Sequence, residues 1–293
     1  MVTRVAVIGA GGMGAWFARF FKSRGDHVTI SDRDSSKARR LASKLHAKCA
    51  PSNVEAARRS DIIILATPAN VISKVINEIL PTIGRNALVC DICATKSAVM
   101  PGLRAVQRRG IKVASIHPMF GPLARGIRGR KIIAIRTGKD TRGSKMMKRL
   151  LEGAHIFLTR QDIHDTRTAV TLGLPHFLNM AFAMTVTKRG DLAEIRRFAG
   201  RTFNLQLLLA EAIADEPETT ADIQTMNREF SVVLRDLQRN IQALAKIVNK
   251  QDRAKLVARY KQVRKALSAD PEFRTARTAF EKVAETQSAV SRR

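Results

Sequence analysis

Aromatic side chains are scarce in this 293-residue chain: tryptophan and tyrosine occur once each, and with 12 phenylalanines the three types make up 5% of the residues. Single-stranded nucleic acid is bound by rings on which bases stack, so specific nucleic-acid binding is not expected. Three cysteines cannot build a disulfide scaffold, which points to a reducing, intracellular setting. Cys90 and Cys93 form a C-x-x-C at the end of an apolar run, Ala87-Leu88-Val89-Cys90, that reads as a strand. Residues three apart on a strand point to opposite faces. Redox or zinc use would also need a helix start or a second ligand pair, so ordinary buried cysteines and no metal are expected.

Negative charge is in short supply as well. Lys and Arg number 52 against 25 Asp and Glu, a net charge of +27, and residues 1–160 carry most of it, with 30 basic against 9 acidic side chains. A positive field concentrates anions such as nucleotides and phosphorylated or multiply carboxylated metabolites. No charged leader with an apolar core precedes the first strand pattern, Arg4-Val5-Ala6-Val7-Ile8, so a cytoplasmic location is expected. The most apolar stretch, Ala169 to Val186, is interrupted by Gly173, Pro175, His176 and Asn179. These are costly in lipid, so a buried helix is expected there and no membrane partner.

What is present is ordinary globular material: 45% apolar and 26% charged residues, and a length that fits two domains. Strand patterns at Val5–Ile8, Val28–Ser31, Ile62–Ala66, Ala87–Cys90, Val113–Ile116, Ile132–Arg136 and Ile156–Leu158 alternate with helical runs at Gly14–Ser23, Lys37–Leu45, Val71–Ile79 and Ser144–Leu151. Such alternation implies parallel βαβ units, and strands that are apolar at every position imply helices on both sheet faces. After about residue 161 the strand signals stop. Apolar residues at 226, 230, 233, 234, 237, 241, 244 and 248 predict one long amphipathic helix. Leu256, Tyr260, Val263 and Leu267 mark a second; Phe273, Phe280 and Val283 mark a third, opened by Asp270-Pro271. The expected architecture is α/β: a doubly wound parallel sheet at 1–160, followed by an all-helical domain at 161–293. The basic end Ser291-Arg292-Arg293 is expected to fray.

Gly9-Ala10-Gly11-Gly12-Met13-Gly14 follows a strand and opens a helix, and Asp32 ends the next strand. That is the dinucleotide fingerprint in its required context. Gly9 permits the tight turn, Gly11 lets backbone approach a pyrophosphate, Gly12 and Met13 complete the loop, and Gly14 lets helix and strand pack. Asp32 accepts ribose hydroxyls and repels a 2′-phosphate, favouring NAD. Ser31, Arg33, Ser35, Ser36 and Lys37 around it keep NADP as the runner-up. Thr67 and Pro68 end the fourth-element strand, either beside the cofactor or as a plain turn.

His117-Pro118-Met119-Phe120-Gly121-Pro122 comes directly after a strand. With the G-x-G-G-M-G start, this run resembles the prephenate dehydrogenase family, including its arogenate-using and archaeal members. Asp91-Ile92-Cys93-Ala94-Thr95-Lys96 is similar to that family's D-x-x-S-x-K, and His164-Asp165, Leu174-Pro175-His176, Asp215-Glu216-Pro217 and Asp222-Ile223 follow in its order. The resemblance implies a Rossmann domain, a helical dimerisation domain forming a homodimer, and oxidative decarboxylation of prephenate to 4-hydroxyphenylpyruvate or of arogenate to tyrosine. It makes His117 the catalytic base, with His176 contacting substrate or else serving as a core histidine. Lys96 would orient substrate or cofactor, or be an exposed helix-start lysine. Ala94 stands where the family has a serine beside the catalytic histidine, and Thr95 brings the nearest hydroxyl. Asn204 and Glu211 fall where a carboxylate-binding arginine belongs; Arg201 is the nearest cation upstream, Glu211 suits the ammonium of arogenate, and Arg125, Arg128, Arg130 and Lys131 form a basic run that attracts carboxylates or is simply solvated. Competing readings are another Rossmann-type imine or hydroxyacid oxidoreductase, and a basic nucleotide-binding protein without turnover.

Overall fold

The structure is a computed structural model that describes residues 2–290; Ser291-Arg292-Arg293 lie outside the described residues. The chain forms two compact units, Met1–Leu172 with Ala221–Glu229, and Gly173–Thr220 with Phe230–Arg293. The division therefore differs from a single cut at residue 160. Residues 161–172 and the returning segment 221–229 belong to the sheet unit, and polar contacts hold the returning segment there. Asp222 Oδ2 accepts from the Ala69 amide at 3.1 Å, Ser97 Oγ donates to the Met226 carbonyl at 3.0 Å, and Asn227 Nδ2 donates to the Asp165 carbonyl at 2.8 Å.

In the first unit, eight strands among the described residues form one sheet in the order β3-β2-β1-β4-β5-β6-β7-β8. They are β1 (Arg4–Ile8), β2 (His27–Ser31), β3 (Lys48–Cys49), β4 (Ile62–Leu65), β5 (Leu88–Asp91), β6 (Lys112–Pro118), β7 (Lys131–Ile135) and β8 (His155–Thr159). The helices are α1 (Gly12–Ser23), α2 (Ser35–Lys44), α3 (Asn53–Ala57), α4 (Ile72–Ile79), α5 (Met100–Arg108), α6 (Arg142–Leu150) and α7 (Gln161–Thr168). Strand alternation sorts side chains into two cores. Val5, Val7, Ile62, Ile64, Leu88 and Cys90 enter one, while Ala6, Ile8, Ile63, Leu65 and Val89 enter the other. Each fully buried branched aliphatic contributes on the order of 2 kcal/mol. Cys93 packs against the second core, so the C-x-x-C cysteines do face opposite sides.

Two features depart from the expected sheet. β3 has two residues, too few to show alternation. β7 runs antiparallel to β6 and parallel to β8, because segment 119–130 contains no helix to carry the chain back across the sheet. β1 pairs with both β2 and β4. Strand order reverses there, which is where doubly wound sheets open a ligand crevice at the carboxyl ends of their strands.

The second unit is helical, with α8 (Leu174–Val186), α9 (Leu192–Arg197), α10 (Arg201–Ala214), α12 (Phe230–Asn249), α13 (Arg253–Leu267) and α14 (Ala276–Val290); α11 (Pro217–Thr225) links the two units. The long helix starts at Phe230 and not at Met226, because the Asn227 side chain accepts from the Glu229 amide at 3.1 Å and turns the chain. Asp270 caps a separate 3-10 turn, Pro271–Arg274, ahead of α14. The expectation of a buried helix at 169–186 is corrected. The helical run Gln161–Val186, 26 residues long, is long and apolar enough to cross a membrane by length and composition, and only 17% of its apolar window is buried. Apolar residues are spread around α8 and not gathered in one stripe, so packing on one side leaves the others exposed. Met184, Leu209, Val248 and Val263 are exposed in the same unit.

Candidate active site

The glycine loop is shaped by contacts at three of its four glycines. Gly9 has φ +108°, and a Cβ there would lie 2.3 Å from the Ala66 carbonyl oxygen. A Cβ at Gly14 would lie 1.9 Å from the Gly9 carbonyl oxygen, and one at Gly12 would lie 3.0 Å from Pro122. Gly11 is different: a Cβ there meets nothing within 4 Å. Packing within the chain does not require glycine at 11, so the open space over it is free for a ligand. α1 begins here with no side-chain cap and no acid in its first turn, leaving amide N–H groups and the positive end of the helix dipole for an anion. Met13 packs against the first core.

Asp32 holds this loop. Its Oδ2 accepts from the Ala10 amide at 2.6 Å and its Oδ1 from the Asp34 amide at 2.8 Å. Two of the groups expected to hold a 2′-phosphate are spent elsewhere: Ser31 is buried and donates to Asn53 Oδ1 at 3.0 Å, and Ser36 donates to Asp34, the cap of α2, at 2.6 Å. Arg33, Ser35 and Lys37 remain exposed. At the end of β4, Thr67 Oγ1 is buried without a hydrogen-bond partner, and Pro68 beside it is exposed. An orphaned buried hydroxyl is costly, and its place next to the glycine loop suits a polar ligand. The open face at Gly11, the uncapped helix start, Asp32 and Thr67 together fit a dinucleotide.

His117 closes β6 at this same edge, and its motif reaches the glycine loop. Pro122 lies against Gly12, Phe120 packs on Trp16 of α1 with ring centroids 4.8 Å apart, and Trp16 Nε1 and Arg19 donate to the carbonyls of Ala124 and Pro122. His117 is 6% exposed. Burial, then the nearby Lys96 charge and His164, hold its pKa well below the usual 6.5, so it is neutral at ordinary pH.

The partner that orients His117 is a residue with no such role in the sequence reading. His117 Nδ1 lies 3.0 Å from His164 Nε2, and His164 Nδ1 lies 2.9 Å from Asp165 Oδ1. The Asp165 carboxylate only accepts, so His164 carries its proton on Nδ1 and offers Nε2 as acceptor. His117 then donates through Nδ1, leaving its Nε2 lone pair free to take a proton. Asp165 Oδ1 also accepts from the Lys96 amide at 3.3 Å. Positions 47 apart in sequence give no local signal of such contact.

Lys96 is neither exposed nor directed outward. Its side chain is 0% exposed; Nζ bonds the Asp91 carboxylate at 3.1 and 3.2 Å and the Ile116 carbonyl at 2.7 Å. Asp91 also accepts from Ser115 Oγ and from the Cys93 amide. This saturated pair ties the end of β5 to the residue before His117, so Lys96 positions the histidine from below. Thr95 is buried as well. Burial pushes the Cys90 and Cys93 thiols up and away from reactivity.

Of the other expected substrate residues, His176, Arg201, Asn204 and Glu211 lie in the helical unit and Arg125 in the sheet unit. His176, near the start of α8, is half-buried; its Nδ1 has no hydrogen-bond partner and burial lowers its pKa. It is therefore not a core histidine with satisfied bonds. Arg201 pairs with Glu281, and Glu211 pairs with Arg196 at 2.5 Å on an exposed face. Neither is the free charge that the sequence suggested. Asn204 is half-buried. Arg125 and Arg128 are exposed on the loop after the histidine motif, and Arg130 is half-buried.

Residues 17–132 match the nucleotide-binding domain of prephenate dehydrogenase, and residues 160–262 match its dimerization domain. The chain belongs to the prephenate dehydrogenase family. A probable arogenate/prephenate dehydrogenase of Methanocaldococcus jannaschii is 27% identical over 269 residues, which cover 89% of this chain and 60% of that one. The chain thus spans about three-fifths of that relative's length. The 4-amino-4-deoxyprephenate dehydrogenase of Streptomyces pristinaespiralis is 25% identical over 270 residues, 90% of each chain. Among solved structures, A. aeolicus prephenate dehydrogenase in complex with hydroxyphenyl propionate and NAD+ superposes with a TM-score of 0.74 at 19% identity, over 92% of this chain and 99% of that one, which establishes the shared fold.

Proposed function

We propose that this chain is an NAD(P)-dependent dehydrogenase that oxidatively decarboxylates prephenate or arogenate, with His117 as the base. The observation that carries this is the buried, neutral His117, oriented by His164 and Asp165 at the end of β6, just before a loop that touches the dinucleotide cradle. Gly11, the start of α1, Asp32 and Thr67 hold the dinucleotide, whose nicotinamide, when bound, supplies the hydride acceptor. His117 Nε2 accepts the hydrogen bond of the substrate's ring hydroxyl and takes its proton as the carbinol carbon gives up hydride. The ring carboxylate then departs as CO2 and its bonding electrons complete the aromatic ring. The protein's remaining task is orientation and exclusion of water.

NAD is the preferred cofactor in this reading, since Asp32 places negative charge in the cradle while Ser31 and Ser36 are already engaged; NADP, held by Arg33 and Lys37, is the runner-up. His176 contacts the substrate through its unpartnered nitrogen, and Arg125 supplies a cation for a carboxylate. The helical unit joins two copies in a homodimer that covers its exposed apolar faces, and the three free cysteines suit a reducing cytoplasm. Appearance of reduced cofactor with prephenate, arogenate and 4-amino-4-deoxyprephenate, each tested against NAD and NADP, decides the matter. No reduction in any combination would refute the proposal.

A further inference from the structure

A second basic site lies on the sheet unit, apart from the cradle. A groove of about 1360 Å³ is lined by residues of α5, the β7 end, α7 and segment 225–229. None of the glycine loop, Asp32, Thr67 or His117 lines it; Asp165 of the histidine relay lines it together with α7, away from the arginines of α5 and the β7 end. Its basic end is at the strand-end edge of the sheet opposite the glycine loop. β6 runs parallel to β5 and ends at Pro118 on the cofactor side, while β7 starts across from Pro118 and runs back, so Arg136, Thr137 and Gly138 leave it at the other edge. α5 descends to the same edge, and Gln107 meets Gly138 there, 3.2 Å from where a Cβ would stand.

Three guanidinium groups, Arg104, Arg108 and Arg136, line this end. Arg104 and Arg108 are one turn apart on one face of α5. Among the described residues none of the three has a carboxylate partner, whereas Arg160 farther along the wall is paired with Asp162 at 2.6 Å. Beside them Thr137 is 5% exposed and its buried Oγ1 has no hydrogen-bond partner. Solvated surface arginines alone would need no explanation. A desolvated hydroxyl left without a partner in the same wall does, because buried polar groups are nearly always satisfied.

From this juxtaposition we propose a second binding site, for a compact anion of two or more charges, carboxylate or phosphate in type, gripped by Arg104, Arg108 and Arg136 and receiving the Thr137 hydroxyl hydrogen bond. Planar guanidinium forks match both oxyanions, and the hydroxyl completes the set. The site does not depend on the dehydrogenase assignment.

Calorimetric titration of the full chain with citrate and, separately, with inorganic phosphate, at constant ionic strength, tests it. Saturable one-to-one binding of either anion is expected, and the tighter of the two identifies the source chemistry. Arg104→Ser and Arg136→Gln should each weaken it by about tenfold, and Thr137→Val by a smaller factor. Arg149→Ser, an equal loss of charge on α6 outside the groove, should leave it unchanged. Titration repeated with saturating NAD should give the same affinity. Binding that never saturates, that falls equally with Arg149→Ser, or that NAD displaces would each overturn the proposal, as would no binding of either anion.

Discussion

Replacing Lys96 with methionine removes one half of an ion pair whose two side chains are both 0% exposed. The methionine fills most of the space, so the loss is electrical more than steric. Asp91 would keep Ser115 and the Cys93 amide as donors but lose its counter-ion, and the Ile116 carbonyl would lose its donor. Breaking a buried pair from one side costs roughly 3–5 kcal/mol. For a unit of this size each kcal/mol moves the melting temperature by about 2–4 °C, so a fall of about 10 °C is expected by calorimetry. The double variant Asp91→Asn/Lys96→Met, which leaves no buried charge, should recover more than half of it. A second readout separates positioning from mere support. The Lys96 charge helps to hold the His117 pKa down, so its removal raises that pKa, and the acid limb of kcat/KM moves to higher pH. An unchanged melting temperature with an unmoved acid limb would refute both the pair and its coupling to His117.

His117→Asn should lower turnover by roughly 10²–10⁴-fold while dinucleotide affinity is kept; a near-normal rate would remove His117 from the reaction. Because the folded pKa of His117 lies below the ordinary 6.5, the unfolded chain binds more protons in that interval, so stability falls as pH drops below about 6.5 and this variant should flatten the fall. His164→Gln should cut kcat by roughly 10–100-fold with little change in KM, since it frees the ring of His117 without touching substrate; equal changes in both constants would argue against an orienting role. Gly11→Ala should weaken dinucleotide binding at an unchanged melting temperature, whereas Gly14→Ala, with its Cβ driven into the Gly9 carbonyl, should cost about 3 kcal/mol of stability. Sedimentation at micromolar concentration should give a dimer, and a monomer would leave the exposed apolar faces of the helical unit unexplained.

The sequence alone determined the elements whose causes are local. Alternating and continuous apolar runs placed seven of the eight strands, because burial on one or both faces writes its period into neighbouring residues. The glycine loop and its acid were legible for the same reason: a left-handed turn at Gly9 and the near-contact at Gly14 are steric demands that only glycine meets. Tertiary structure decided what depends on residues distant in sequence. The reversal of β7, the return of 221–229 to the sheet unit, and the burial of Lys96 against the Ile116 carbonyl arise from contacts that leave no period in the chain. Charge partners belong to the same class: Glu211 and Arg201 looked free until folding brought Arg196 and Glu281 to them. The histidine relay shows the point most clearly. An imidazole's tautomer is set by whichever acceptor packs against it, and for His117 that neighbour is His164, itself fixed by Asp165.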